Sequence, residues 1–258
     1  MTVDECRIVF LHIPKTAGQT IHSELARLIG EDAVSPIRVH TQADSPAGQF
    51  PPGYRLYSGH IDWLALDTVP NPRFVFTVLR DPFERIASFY FFLKRQAESL
   101  SPEELARPRR VGMRRILNST VDDYFCGGPS SWRRFILDHY HSPYCAYLAT
   151  KTLRGYSKVA GSPLNDLVDR AEVAAKSLGG VYSVTGLSAL ERDIEIVLGQ
   201  RPQLTGRYMN AAPKEQAGSR WMQLESMIEK KQTLVELKSF VEADFQLMSR
   251  LGMKTDHT

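Results

Sequence analysis

Three groups of residues have the types and spacing to do chemistry. The first is Pro14-Lys15-Thr16-Ala17-Gly18-Gln19-Thr20, which combines a cation, small residues, a glycine and two threonine hydroxyls. It lies between a short apolar run and an amphipathic pattern, so it reads as a tight loop joining a strand to a helix. Backbone amides at a helix N-terminus, together with a lysine, make an anion site. The loop is therefore expected to hold a phosphate group, with Lys15 neutralising it and any charge that develops on a leaving oxygen. Lys15 precedes Gly18, whereas in a Walker A motif the lysine follows the last glycine. A surface lysine in a turn is the plainer alternative.

The second group is Arg80 and Ser88, eight positions apart. Arg80 ends an apolar run and its planar fork suits phosphate oxygens. An Arg80-Asp81 ion pair that merely caps the next helix is the competing reading. The third group is Gly59-His60-Ile61-Asp62-Trp63. A lone histidine is more often structural than catalytic. At the end of a strand, however, a neutral imidazole can take a proton from a hydroxyl near neutral pH. The other histidines have no comparable setting, apart from His12 beside the loop. The sequence has no HExxH, no Cys/His cluster and no acidic DxD string, so nothing calls for a metal.

The elements that must position these groups follow from periodicity. Residues 8–11 read as a buried strand, and Ile21, Leu25, Leu28 and Ile29 as a helix face closed by Gly30. Residues 31–53 form a connector with one short strand at 37–40. Residues 54–58 read as a second strand, and 61–66 as aromatic and helical. Arg73–Leu79 is an unbroken β-branched and aromatic run, expected to be buried on both faces. Pro82 suits the first position of a helix, which runs to Arg95 with Ile86, Phe89, Tyr90 and Leu93 on one side. Strand, polar turn and helix thus occur twice. This favours an α/β fold with a central parallel β-sheet flanked by helices, whose ligands gather at the carboxyl ends of the strands.

Further on, residues 98–119 are Arg-rich and lie outside the sheet, and 121–153 read as short helices. A helix at 168–178, a strand at 181–185 and a helix through Leu190, Ile194 and Val197 follow. Leu234, Leu237, Val241, Phe245, Met248 and Leu251 then share one helical face. Without repeats or a clear linker, residues 1–258 read as one domain. The basic stretch from Arg107 to Arg115 is either a solvated face or a patch for an anionic acceptor such as an acidic glycan. Trp63, Trp132 and Tyr140 can stack on sugar rings or fill a core.

Composition sets the frame. At 258 residues, 43% hydrophobic and 24% charged, the chain has the makeup of a globular protein with a sizeable core. A net charge of +3 is too small to argue for nucleic acid. Cys6, Cys126 and Cys145 have no CxxC spacing, which fits a reducing compartment. No apolar segment is long enough for a transmembrane helix and no signal peptide precedes the first strand, so the expected location is cytoplasmic.

Residues 12–20, HIPKTAGQT, resemble the 5′-phosphosulfate loop of sulfotransferases that use 3′-phosphoadenosine 5′-phosphosulfate (PAPS). Residues 80–90, RDPFERIASFY, resemble their 3′-phosphate motif, an arginine followed eight positions on by a serine. Both are most similar to the carbohydrate branch that includes the heparan sulfate 2-O- and 6-O-sulfotransferases. In that branch a histidine in a context like Gly59-His60-Ile61-Asp62-Trp63 is the catalytic base. Residues 182–191 are similar to the family's late strand and helix, and residues 209–214, MNAAPK, to its closing loop over the nucleotide. Gln19 departs from the pattern where a hydroxyl residue or glycine is frequent, and Ala212 where serine is. The absence of a membrane anchor points to a bacterial-type soluble relative.

The resemblance implies a P-loop-NTPase-like sulfotransferase fold with PAPS as donor, PAP as product and no metal. Lys15, Thr16, Ala17, Gly18, Gln19 and Thr20 would hold the 5′-phosphosulfate, Arg80 and Ser88 the 3′-phosphate, and Asn210 and Lys214 would close over the nucleotide. His60 would be the base and Lys15 its catalytic counterpart at the leaving oxygen. The partner would be a hydroxyl acceptor, a glycan or glycolipid, and not nucleic acid. Two other classes compete: a non-catalytic module that binds PAP or sulfated glycans, and a P-loop-like nucleotide kinase, which needs a Walker-order lysine that this chain lacks.

Overall fold

The computed structural model describes residues 6–205 and 218–255. The apolar runs form four parallel strands, β1 (Arg7–Leu11), β2 (Leu56–Gly59), β3 (Arg73–Leu79) and β4 (Gly180–Ser183), in the order β2-β1-β3-β4. Val9 lies opposite both Tyr57 and Val75, and Leu79 opposite Ser183. The helices are α1 (Gly18–Ile29), α2 (Pro82–Glu98), α3 (Pro102–Ala106), α4 (Val111–Asn118), α5 (Val121–Cys126) and α6 (Ser130–Tyr140). They continue with α7 (Pro143–Thr150), α8 (Leu164–Lys176), α9 (Leu187–Leu198), α10 (Arg220–Glu225) and α11 (Lys231–Arg250).

Side chains alternate across a strand, and here both faces are covered. Ile8, Phe10, Phe76 and Val78 pack against Ile21 and Leu25 of α1 and Leu190 and Ile194 of α9. Val9, Leu11, Val75 and Leu79 meet the opposite layer of α7, α8 and α11. Burial on both faces explains why β1 and β3 read as continuous apolar runs. A second apolar cluster joins α2 to α4, α5, α6, α10 and α11 around Tyr90, Tyr124, Phe125 and Tyr140. Helix α11 spans both: Leu237, Phe240 and Val241 belong to this cluster, Ala243, Leu247 and Met248 to the sheet side.

Several elements differ from the sequence reading for identifiable reasons. The strand expected at 37–40 is a single bridge between Val39 and His60. The Gln42 side chain accepts from the amides of Arg38 at 2.6 Å and Val39 at 3.0 Å, drawing them out of any ladder. Residues 61–65 form no helix and only a short 3₁₀ turn, Leu66–Thr68, follows them, because Trp63 N–H donates to the Lys151 carbonyl and Asp62 accepts from Leu153 N–H. The C-terminal stripe from Leu234 to Met248 does run along one helix, α11, and just ahead of it the amides of Glu229 and Lys230 donate to the Asp122 carboxylate. Trp63, Trp132 and Tyr140 are buried core residues. In the basic stretch, Arg114 donates to the carbonyls of Leu105 and Arg107, while Arg115 donates to that of Asp123 and lies over the Trp132 ring. Among the described residues no helix is long and apolar enough to cross a membrane.

Candidate active site

Every strand ends at the same cleft, of about 1760 Å³, and His12, Gly59, His60, Arg80 and Ser183 line it directly after the strands. The chain leaves β1 for β2 on one side and returns as β3 on the other, which opens a crevice at that switch point. The loop after β1 fills its centre. Lys15 (φ 76°) and Ala17 (φ 64°) are both left-handed and alternate with Thr16 and Gly18. Such alternation curls successive N–H groups inward into an anion-binding nest at the start of α1. Non-glycine residues hold this conformation at some cost, and two contacts keep it in place. The buried Thr16 hydroxyl donates to the Ile13 carbonyl at 2.9 Å. Arg85, only 2% exposed, donates from Nε to the Pro14 carbonyl at 3.2 Å and from Nη1 to that of His139 at 2.8 Å. Thr20 is buried and Gln19 exposed.

Positive charge accumulates beside this loop. Lys15 Nζ lies 3.9 Å from the centre of the Phe92 ring. Burial, reinforced by Arg220, Arg95, Arg80 and Arg85, pushes its pKa down to about 8. Arg80 pairs with Glu84 at 3.2 Å, and Glu84 also accepts from Ser219 Oγ at 2.5 Å and Trp221 N–H at 3.1 Å. Ser88 is buried, and its hydroxyl accepts from Arg220 Nη1 at 3.0 Å. Arg80 and Ser88 thus share one corner, as their spacing predicts. Arg220 is a site residue that the sequence reading missed, since Ser219-Arg220-Trp221 carries no phosphate motif. The Tyr144 hydroxyl both accepts from Arg80 N–H at 3.2 Å and donates to the Arg80 carbonyl at 2.8 Å.

His60 stands where β2 ends. Its Nδ1 lies 2.8 Å from the His12 carbonyl oxygen. A carbonyl only accepts, so Nδ1 carries the hydrogen and Nε2 keeps its lone pair. Burial lowers its pKa below the ordinary histidine value, Arg38, His40 and Arg85 add to the effect, and the His12 carbonyl opposes it. The ring is therefore a neutral acceptor at pH 7. Gly59 is needed here because a Cβ would fall 2.2 Å from the Arg38 carbonyl oxygen.

Arg38 forms the neighbouring wall. It hydrogen-bonds His22, whose pKa burial and Arg38 lower to about 4. The partner is thus a neutral imidazole, and among the described residues no carboxylate forms an ion pair with Arg38. Asp138, His139 and Arg154 also line the cleft. Asn210 and Lys214, with the rest of residues 209–214, lie outside the described residues.

The arrangement brings Lys15, Arg80, Arg220 and the neutral imidazole of His60 into a shared cleft. Comparison with known proteins agrees with that chemistry. The model of the sulfotransferase family matches residues 1–150, from before β1 to the end of α7. No curated protein matches the chain. The family match takes in the loop after β1, His60 and α2, and leaves out α8 to α11 with Arg220. With more than half of its length in that match, the chain belongs to the sulfotransferase family and is an enzyme of sulfuryl transfer.

Proposed function

We propose that the protein moves a sulfuryl group from PAPS to a hydroxyl of a carbohydrate acceptor. The observation that carries this reading is the unprotonated Nε2 of His60 in the same cleft as Lys15, Arg80 and Arg220. Several cations around one loop suit a nucleotide with phosphates at both 3′ and 5′ positions. The nest with Lys15, Thr16, Ala17, Gly18, Gln19 and Thr20 takes the 5′-phosphosulfate. Arg80, Ser88 and Arg220 take the 3′-phosphate. The cleft exceeds the roughly 300–1,000 Å³ of an ordinary ligand pocket, which leaves room for donor and acceptor together.

His60 accepts the proton as the acceptor hydroxyl attacks sulfur. The sulfur–oxygen bond to the 5′-phosphate breaks on the opposite side, and Lys15 stabilises the charge on the leaving oxygen. Fixed positive charge and orientation supply most of the acceleration. The sugar acceptor, and a relation to the 2-O/6-O branch, rest on the two motifs. Arg38 beside His60, which among the described residues bonds the neutral His22 and forms no ion pair with a carboxylate, favours an acceptor that carries an anionic group. The roles of Asn210 and Lys214 rest on the motif alone. Three free thiols fit a cytoplasmic location.

Calorimetry with PAP, ATP and ATP plus Mg²⁺ tests the donor, and preference for ATP-Mg²⁺ overturns it. Transfer of labelled sulfate from PAPS to a panel of glycans and small hydroxyl compounds tests the acceptor class. PAP binding without transfer to any of them identifies a binding module instead.

A further inference from the structure

We propose that His12 is the positioning residue of this site: one ring and one carbonyl hold His60 and the phosphosulfate loop in fixed relation. The inference rests on His60 as the base. Three contacts carry it. The His12 carbonyl fixes Nδ1–H of His60 at 2.8 Å. The two imidazoles stack with centroids 4.2 Å apart and planes 27° from parallel, and Phe10 of β1 backs the His12 ring at 5.3 Å. The far edge of the His12 ring lies against Gly18. A methyl group on Gly18 would fall 1.7 Å from His12 Nε2 and 1.9 Å from Cε1.

The ring thus occupies the space a side chain at position 18 would need, and the loop closes onto it. Phe10 belongs to a strand paired on both sides, so the stack is anchored to the sheet. The His12 ring has its Nε2 buried without a hydrogen-bond partner among the described residues. Burial, then the charges of His60, Arg38, Lys15 and His22, keep it neutral. It acts as a flat, uncharged spacer between the group that takes the proton and the loop that holds the leaving phosphate. In-line transfer depends on that separation, because small misplacements cost rate steeply.

The test uses the full chain with ¹⁵N-labelled histidine. It reads the ring nitrogens of His60, identified by their loss in His60→Gln, alongside PAP affinity and kcat. Wild type is expected to show one tautomer, protonated at Nδ1. His12→Ala keeps the backbone carbonyl but removes the ring that holds His60 against it, so His60 turns away from the carbonyl, the second tautomer appears and kcat falls about 10- to 100-fold, while PAP affinity stays within about two-fold. His12→Phe keeps a flat ring and restores the single tautomer and most of kcat. Gly18→Ala pushes the His12 ring aside and reproduces the tautomer mixing without altering residue 12. A single unchanged tautomer in His12→Ala, whatever happens to kcat or thermal stability, overturns the proposal. Should that variant not fold, the same result in Gly18→Ala overturns it. Transfer retained in His60→Gln would instead remove His60 as base and leave the tautomer result standing.

Discussion

Nη1 of Arg220 donates to Oγ of Ser88 at 3.0 Å, joining residues 132 positions apart. Ser88 belongs to a recognisable motif on α2, while Arg220 opens α10 outside the family match. The contact makes Arg220 a second cation for whatever phosphate Arg80 receives. Arg220→Ala should weaken PAP by about 10- to 100-fold, the worth of a charge-assisted hydrogen bond. Affinity for 5′-AMP, which lacks the 3′-phosphate, should hardly change. Calorimetry with the two nucleotides checks this, and equal losses for both would remove Arg220 from the 3′ corner.

Lys15 makes donor binding sensitive to alkali. Burial and four arginines bring its pKa to about 8, and a bound anion favours the protonated form. Below about pH 8 the lysine is charged in free and bound protein, so affinity is level. Above it the free protein loses a proton that the complex retains, and affinity falls by up to tenfold per pH unit. Titration of PAP between about pH 7 and 9.5, where its phosphates stay ionised, should show this decline. Lys15→Met should abolish it.

His60 should set the acid limit. Its pKa lies below 6.5 because the ring is buried among Arg38, His40 and Arg85, so the acid limb of kcat/KM should fall below pH 6.5. His60→Gln should lose about 10²- to 10⁴-fold in kcat, the usual worth of a general base, with PAP affinity kept. An acid limb that survives in the variant would assign it to another group.

Asp244 on α11 accepts from the amides of Tyr144 and Cys145 at 3.2 and 2.9 Å, closing the start of α7. Asp244→Ala strands two buried donors and should cost about 2–5 kcal/mol in urea unfolding. Burial raises the Asp244 pKa to about 6, above its unfolded value of about 3.9. The penalty of the ionised form is thus present above about pH 6 and is relieved as pH falls toward 4. In Asp244→Asn that gain of stability on acidification should vanish.

What the sequence made legible is what neighbours in sequence decide. Lys15 and Gly18 sit between a strand and a helix that their own periodicity reveals, and Arg80 ends the most apolar run in the chain. His60 was visible as a strand end. Arg220, Arg85 and Arg38 were not, because their partners are Ser88, the Pro14 and His139 carbonyls, and His22. Each contact depends on the packing of separate elements. The strand expected at 37–40 that did not form shows the same limit on a smaller scale: a single glutamine side chain captured two amides that propensity would give to a ladder.

The Tyr144 hydroxyl, which occupies both peptide groups of Arg80, has a mechanical consequence. The end of β3 behaves as a clamped shoulder, and the guanidinium as the arm that swings from it. On the proposed function, trading Glu84 for a phosphate should then require side-chain rotation alone, with no adjustment of the strand. Donor arrival and departure would then leave the sheet beneath unmoved.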